Sequence, residues 1–580
     1  MERVPETDAY RGVADDDALV RLVDELSTEH GLEFITTRRL LCLLAGTRPT
    51  DVASLVRGTG ASRRRVEEVL ARLTDHLDDT ADGYRVRPSA VPTLRRLARC
   101  DALLPAGFTD PPPDRRWTQL RERMRVAAAG LPPSVWRLDH VPATADTAVR
   151  RAYALWANYE LAGNHVLCLG DHDLTSIALT LVSPEVAVTV VDIDERILDH
   201  IATLADDWRL PVRCAFADLR AELPPSLRDG VDLVFTDPPY TPAGIELFLA
   251  RGVGALRRRR GGRVLFCYSH NERQPARGLE VQNVVSGLHL AVEGVLPRFN
   301  AFDGAESIGS HSALWICQPT ANAWPAAERR TGAVAIYTRG RQAEETAARP
   351  VASVPARLRG YVPLDEGAAV QLVGTGDGAP LSLDTLLRTE PPAGQGGLVR
   401  PGAVLLADLT EVHPSYAYRL LLRGLPVRRA VFAVSAQARK LGLHAADHPV
   451  WRLVAAKYRL GFDGADVIDA TASPIEEVPE ELRTARYVLD HPKARLAGAW
   501  REALVAQARR QGRVLVKNQA RQLIAASVDP RSIEDRYLCE LPERVLGAVA
   551  RAMLAAVAVP EPVSEPVSDI VPAQPIVKHS

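Results

Sequence analysis

The chain has 580 residues, with 71 Lys and Arg against 72 Asp and Glu and a formal net charge of −1. That length points to about two to four domains, and so even a balance argues against a protein that binds nucleic acid over its whole surface, though not against a local basic patch. No apolar run reaches membrane-spanning length and the opening MERVPETDAYRGVADDD is acidic and polar, so neither signal peptide nor transmembrane anchor is expected and the setting is read as cytoplasmic.

Residues 1–14 are expected to be mobile. ITTRRLLCLLAGT (35–47) has the spacing of an amphipathic helix, PTDVASLVRGTG (49–60) of a second that stops on glycine, and SRRRVEEVLARLTDHL (62–77) of a third with Ser62 as N-cap. DDTADGYRVRP (78–88) reads as a small wing. The grammar is that of a winged helix over 15–103, with Arg63, Arg64 and Arg65 as candidate DNA contacts. Glu67, Glu68, Asp75, Asp78 and Asp79 dilute that basic face, which favours a packing or dimerisation module instead. LPAGFTDPPPDRR (104–116) opens a linker and helical connection over 104–137, since consecutive prolines cannot continue a helix. Seven cysteines, Cys42, Cys100, Cys168, Cys214, Cys267, Cys317 and Cys539, lie scattered with no close pair. Buried thiols in a reducing compartment are expected, with no zinc or other metal site.

The stretch 138–320 alternates strand and helix patterns, the sign of a parallel, Rossmann-like sheet of the methyltransferase type. VLCLGDHDLTSIAL (166–179), VAVTVVDIDERIL (186–198), AFADLR (215–220) and VDLVFTDPPY (231–240) each end in acid or in Pro-Pro-Tyr. In an open α/β sheet, ligands bind outside the carboxyl ends of the strands. GLHLAVEGVLPRFNAF (287–302) and SALWICQP (312–319) are two further strands around the loop DGAESIGSH (303–311). From 325 to 558 an α/β region of unassigned fold is expected. Its strands are GAVAIYTRG (332–340), AAVQLVG (368–374), AVLLADL (403–409), RAVFAVS (429–435) and RVLVKN (513–518). Its helices are YAYRLLLRG (416–424), VWRLVAAKYRL (450–460) and RLAGAWREALVAQARRQG (495–512). ADLTEVHPSYAYRLLLRGL (407–425) faintly echoes TDPPYTPAGIELFLARGV (236–253), the trace a decayed duplication would leave. The Pro-rich tail 559–580, with its repeated EPVS, is expected to be disordered.

The chemistry follows from the strand ends. Anion-binding nucleotide folds use a glycine-rich turn; here Gly170 is followed by Asp171, His172 and Asp173, which would repel an anion and welcome a cationic ligand tail. Asp192 stands where an acid accepts from ribose hydroxyls, with Asp194 and Glu195 suited to a helix start. Asp218 would lie beside an adenine amino group. In TDPPY, Asp237 can accept from an amine N–H, and the ring of Tyr240 can stabilise the cation developing on nitrogen during alkyl transfer. The carbonyls set by Pro238 and Pro239 can accept a second bond. An adenosyl-sulfonium donor and an amine acceptor are implied, with in-line placement and removal of an ammonium proton.

GDHDLTSIAL, VVDIDERIL, ADLR, FTDPPYTPAGIELFLARGV and FNAFDGAESIGSHS resemble the branched-chain polyamine synthases, or N4-bis(aminopropyl)spermidine synthases, across 138–318. The N-terminal domain resembles theirs as well. The resemblance implies an aminopropyltransferase that uses decarboxylated S-adenosylmethionine as co-substrate, alkylates a polyamine such as spermidine on N4, and releases methylthioadenosine. A homodimer would be compatible with it, and nucleic acid and membrane are not expected partners. Asp173 is then the candidate base, Asp171 supports the cationic tail, Gly170, Asp192 and Asp218 hold the donor, and His172, Glu306 and Ser310 line the polyamine channel. The family's turn reads Gly-Asp-Asp-Asp, and this chain departs from it at His172. Two other readings compete: an S-adenosylmethionine-dependent amino-methyltransferase acting on a nucleic-acid base or small amine, since DPPY is shared with those enzymes, and a regulator with a degenerate ligand-sensing domain. The glycine-poor turn and near-neutral charge oppose the first; the intact carboxylates and DPPY oppose the second.

Overall fold

The computed structural model describes residues 17–555 apart from 104–106, 108–109, 136–137, 222, 259–260, 272, 331–335, 338–355, 363–368, 375–380, 384–385, 387–398, 411, 436–447 and 465. The expected mobile start, the Pro-rich tail and most of the expected strand 332–340 lie outside the described residues.

The N-terminal unit is built from helices α1 (Asp17–His30), α2 (Phe34–Leu44), α3 (Val52–Thr59) and α4 (Arg63–Arg72), followed by the antiparallel hairpin β1 (Leu77–Thr80) and β2 (Gly83–Val86), then α5 (Val91–Leu97). Local signals fix the ends. Asp51 caps α3 by accepting from the Ser54 amide at 3.0 Å, and Gly60 ends it at φ +70°. Ser62 caps α4 by accepting from the Arg65 amide at 3.3 Å. Of the three arginines offered for DNA contact, Arg63 and Arg64 pair with Glu67 and Glu68 one turn on, while Arg65 turns back to Glu33 and Thr37. The cysteine expectation is corrected here: Cys42 and Cys100, 58 positions apart, are joined in a disulfide. Helix α2 carries Cys42 alongside the chain at Ala98, and Arg38 on the same helix donates to the Ala98 carbonyl at 3.0 Å and to Glu160 at 2.8 Å, so packing brings together thiols that sequence spacing keeps apart.

After α6 (Arg115–Ala129) and α7 (Ala145–Asn158) comes a seven-stranded sheet: β3 (His165–Leu169), β4 (Ala187–Asp192), β5 (Val212–Phe216), β6 (Leu233–Thr236), β7 (Arg263–Tyr268), β8 (Leu290–Ala301) and β9 (His311–Pro319). Its order is β5-β4-β3-β6-β7-β9-β8, parallel except that β9 runs antiparallel to β7 and β8. Helices α8 (Thr175–Val182), α9 (Glu195–Trp208), α10 (Pro242–Ala255) and α11 (Pro275–Gly287) make the connections. Both faces are covered, so β3, β6 and β7 are buried almost throughout and read as continuous apolar runs. Strand order reverses direction between β3 and β6, which opens a crevice beyond their carboxyl ends.

A second, six-stranded sheet follows α12 (Ala323–Glu328). It contains β10 (Val370–Gly374), β11 (Leu381–Ser382), β12 (Val404–Leu409), β13 (Arg429–Val434), β14 (Tyr458–Asp463) and β15 (Val467–Ala472), in the order β11-β10-β12-β13-β15-β14. Helix α13 (Tyr416–Leu422) follows β12, and helices Pro449–Val454, Arg483–Asp490, Leu496–Arg510, Lys517–Ser527 and Glu543–Ala555 pack around the sheet. One continuous cluster of buried apolar residues runs through both sheets. Two expectations fail. RVLVKN is not a strand: Val514 is 84% exposed, Val516 is 52% exposed, and the segment leads into the helix from Lys517, where the Val516 amide is taken by the Gln519 side chain. The helix expected over 450–460 stops at Val454, because Tyr458, Leu460 and Phe462 alternate at a strand's period of two and pair with β15.

Gly424 lies at φ +62°, and a Cβ there would sit against the Leu489 carbonyl oxygen. Gly424→Ala is expected to lower unfolding free energy by about 2–3 kcal/mol. Gly498→Ala, inside a helix and facing open space, should raise it by about 0.5–1 kcal/mol. Thermal melts of the two variants check both signs.

Candidate active site

The crevice at the β3 and β6 ends holds a cavity of about 660 Å³. Gly170 leaves β3 at φ +71° and donates its amide to the Val191 carbonyl at 2.8 Å, so the chain turns sharply over the end of β4. The four residues from Gly170 to Asp173 then diverge. Asp171 is 3% exposed and faces inward, accepting from the Thr175 amide at 2.8 Å and the Ser176 amide at 3.1 Å, where it caps α8. Burial pushes its pKa up to about 7, opposed by those bonds. Expected to meet a cationic tail, it is not among the residues that line the cavity.

Asp173 is held on both oxygens. One accepts from the Ala143 amide at 2.7 Å and the other from Arg151 at 2.7 Å. The same guanidinium donates to Asp237 at 2.8 Å and to Asn300 at 2.8 Å, and Arg151 has no exposed side-chain surface. Burial opposes its charge, but the facing Cys267, Asp173 and Asp237 outweigh burial and hold its pKa well above the ordinary value. Asp237 also accepts from the Tyr240 hydroxyl at 2.9 Å. Burial, opposed by Arg151, lifts the Asp237 carboxyl to about 6. Asp173, the base candidate of the sequence, is thus engaged on both carboxylate oxygens. Arg151 was missed by the sequence reading. The signal was its place on the apolar stripe Ala148, Ala152, Leu155 of α7, where a solvated arginine does not belong.

The rings of His172 and His140 meet on the cavity wall with 4.8 Å between centroids and their planes tilted by 41°. Among the described residues, neither ring nitrogen of His172 nor Nδ1 of His140 has a hydrogen-bond partner. Burial lowers the pKa of both, so the pair is uncharged at neutral pH. Asp192, 6% exposed, lines the cavity with one oxygen taking the Asp194 amide at 2.8 Å and the other the Asp171 amide at 3.2 Å. Each oxygen keeps a lone pair for a ligand hydroxyl, and burial raises its pKa to about 6.

Asp218 reaches the cavity, but its carboxylate is saturated. It takes the Arg220 amide, two Arg220 guanidinium bonds at 2.8 and 2.6 Å, and the His413 amide at 3.2 Å. Burial works against the charge and Arg220 outweighs it, holding the pKa below the usual carboxylate range. The expected bond to an adenine amine would have to come from a carboxylate that already accepts these four bonds. Pro238, Pro239, Tyr240 and Glu306 line the cavity; Ser310 does not, its backbone serving to close the turn onto Ala305 and Phe302. Ile336 and Tyr337, from beyond the first sheet, also line it, and the Ile336 carbonyl accepts from Thr241 at 2.7 Å.

The sequence model of the branched-chain polyamine synthase A C-terminal domain matches residues 119–329. Two proteins of Methanocaldococcus jannaschii are similar. An uncharacterized one is 32% identical over 34% of this chain and 49% of its own length, and an N(4)-bis(aminopropyl)spermidine synthase is 28% identical over 32% and 54%. The chain thus spans about half the length of these curated relatives. Among solved structures, the branched-chain polyamine synthase of Thermus thermophilus with N4-aminopropylspermidine and 5'-methylthioadenosine is 22% identical, covering 53% of this chain and 93% of that one at a TM-score of 0.33.

Removing the guanidinium leaves two buried carboxylates facing each other. Arg151→Ala is expected to cost about 3–5 kcal/mol of stability in chemical denaturation. Arg63→Ala, at an exposed surface pair, should leave the transition in place.

Proposed function

We propose that this chain, whose residues 119–329 match the branched-chain polyamine synthase family, is an aminopropyltransferase that takes decarboxylated S-adenosylmethionine as donor and a polyamine as acceptor, with N4 of spermidine the favoured nitrogen. The observation that carries this reading is the sheet-crevice cavity itself. It has acids at four strand ends (Asp173, Asp192, Asp218 and Asp237), a Tyr240 ring beside Asp237, and no glycine-rich turn to hold a carboxylate or phosphate. A donor whose tail ends in an ammonium suits such a wall, as does a polycation. The similar N(4)-bis(aminopropyl)spermidine synthase points the same way.

In the proposed reaction the acceptor nitrogen attacks the methylene carbon next to sulfur. The C–N bond forms as the C–S bond breaks, the electron pair goes to sulfur, and methylthioadenosine leaves. In-line placement supplies much of the rate. Asp237 accepts an N–H of the acceptor, oriented by Arg151 and Tyr240, and the Tyr240 ring stabilises the positive charge growing on nitrogen. The acceptor must first lose a proton. With both Asp173 oxygens engaged, His172, whose ring nitrogens have no hydrogen-bond partner among the described residues, is the wall group with an open acceptor nitrogen, and its neutral imidazole takes that proton. Asp192 holds the ribose. Of the flanking units, the winged-helix-like segment 15–103 serves as a packing module. Arg63, Arg64 and Arg65 are tied to Glu67, Glu68 and Glu33, which does not suit phosphate neutralisation.

A donor-swap assay tests the class. Protein with spermidine and either decarboxylated or ordinary S-adenosylmethionine should yield methylthioadenosine and an aminopropyl increment only with the former, by mass spectrometry. A methylated product from ordinary S-adenosylmethionine would establish the amino-methyltransferase reading instead. The pH dependence has a definite sign. Both Asp237, raised to about 6, and His172, lowered from 6.5, act unprotonated, so kcat/KM for the polyamine should rise with pH through the Asp237 value of about 6 and level off above it. His172→Asn should lower kcat about 10²-fold and leave only the Asp237 limb in that profile.

A further inference from the structure

The second sheet repeats the first. If β10, β11, β12, β13, β14 and β15 stand for β3, β4, β6, β7, β8 and β9, the neighbour relations recur with the same sense. β10 is parallel to β11 and β12, and β12 to β13; β15 is antiparallel to β13 and β14. Those are the relations of β3 with β4 and β6, β6 with β7, and β9 with β7 and β8. Among the described residues only β5 lacks a counterpart, and β11 spans two residues. The echo between ADLTEVHPSYAYRLLLRG (407–424) and TDPPYTPAGIELFLARG (236–252) falls on matching elements, β12 to α13 and β6 to α10. Asp408 therefore stands at the register of Asp237. It holds no ligand-facing network of that kind: one oxygen takes the amide and hydroxyl of Thr410 in a local turn.

What that loop now does is visible in its partners. The His413 amide donates to Asp218 at 3.2 Å, and the Tyr416 hydroxyl accepts from the Asp218 amide at 3.1 Å. The rings of His413 and Tyr416 lie 5.1 and 6.1 Å from Phe216, the last residue of β5. Arg419, fully buried on α13, lies 4.0 Å over the same ring and donates to Glu195 at the start of α9 at 3.1 Å. These first-unit residues, Glu195, Phe216 and Asp218, sit at or just beyond the ends of β4 and β5, and Ala217, Asp218 and Leu219 line the cavity wall.

We infer that residues 370–472 are a degenerate second copy of the catalytic unit whose strand-end loop has become a fixed outer wall for the nucleoside end of the first site, with Tyr416 as a positioning residue. Tyr416 touches no reacting atom. It anchors the Asp218 amide and so fixes the 217–219 backbone against which an adenine nucleoside lies. The inference rests on the proposed donor only in requiring an adenosyl compound, which both competing enzyme readings share.

The test is calorimetric binding of three probes, methylthioadenosine, S-adenosylhomocysteine and spermine, to the full chain and to Tyr416→Phe, with melting temperature as a control. Losing the hydroxyl leaves the buried Asp218 amide without its acceptor. The variant should bind whichever adenosyl compound the wild type binds about fivefold to tenfold more weakly. Spermine affinity should stay within about twofold, the melting point should be essentially unchanged, and amides 217–219 should exchange faster. Adenosyl affinity that is unchanged, or that falls together with spermine affinity, overturns the inference and leaves the aminopropyl reading standing. A selective loss for S-adenosylhomocysteine in a protein that ignores methylthioadenosine and transfers no aminopropyl group upholds the inference and removes that reading. No adenosyl binding by the wild type overturns both. If Tyr416→Phe melts early, Pro414→Ala in the same loop, which leaves every named bond in place, must retain wild-type affinity, and a matching loss there overturns the assignment to Tyr416.

Discussion

The site depends on one buried cation. A guanidinium with no exposed surface is tolerable only when its donors are met by charge and hydrogen bonds, and Arg151 is met by Asp173 from the β3 turn, Asp237 from the end of β6 and Asn300 from β8. It fastens α7 across the carboxyl ends of three strands. Without it, two carboxylates in a dry crevice would oppose each other and one would take up a proton. With it, Asp173 and Asp237 are both held at the cavity wall as hydrogen-bonded carboxylates.

Strand ends and their spacing were legible because buried parallel strands are short apolar runs and their turns carry the acids. Hence β3, β4, β6 and β7 and the pocket-lining DPPY segment were found. What could not be read was the direction in which each turn side chain faces. Asp171 and Asp173 are neighbours in an acidic turn, yet one is drawn into the first turn of α8, whose amides need an acceptor, and the other toward a helix 22 residues earlier. Asp218 looked like a ligand group, and its saturation by Arg220 and His413 depends partly on a contact 195 residues away. The Cys42–Cys100 disulfide escaped for the same reason: it is a fact of packing.

The C-terminal half shows the complementary case. AVLLADL and RAVFAVS announce central strands through their β-branched and aliphatic runs, but Tyr458–Asp463 hides at the end of a helical pattern, and RVLVKN carries a strand's composition yet pairs with no strand among the described residues. A run of suitable residues becomes a strand only when another backbone offers its donors and acceptors. The faint echo of residues 236–253 in 407–425 was visible in the sequence, whereas its meaning required the strand order, which composition does not encode.

The wall that the second sheet presents is part of the same chain as the pocket it borders. Its docking is a unimolecular event, governed by an effective concentration set by the connecting segment and not by how much protein is present. A pocket completed by a separate subunit would fall apart on dilution. This one carries its partner with it, so the arrangement around Asp218 should be as complete in a sparse solution as in a crowded one.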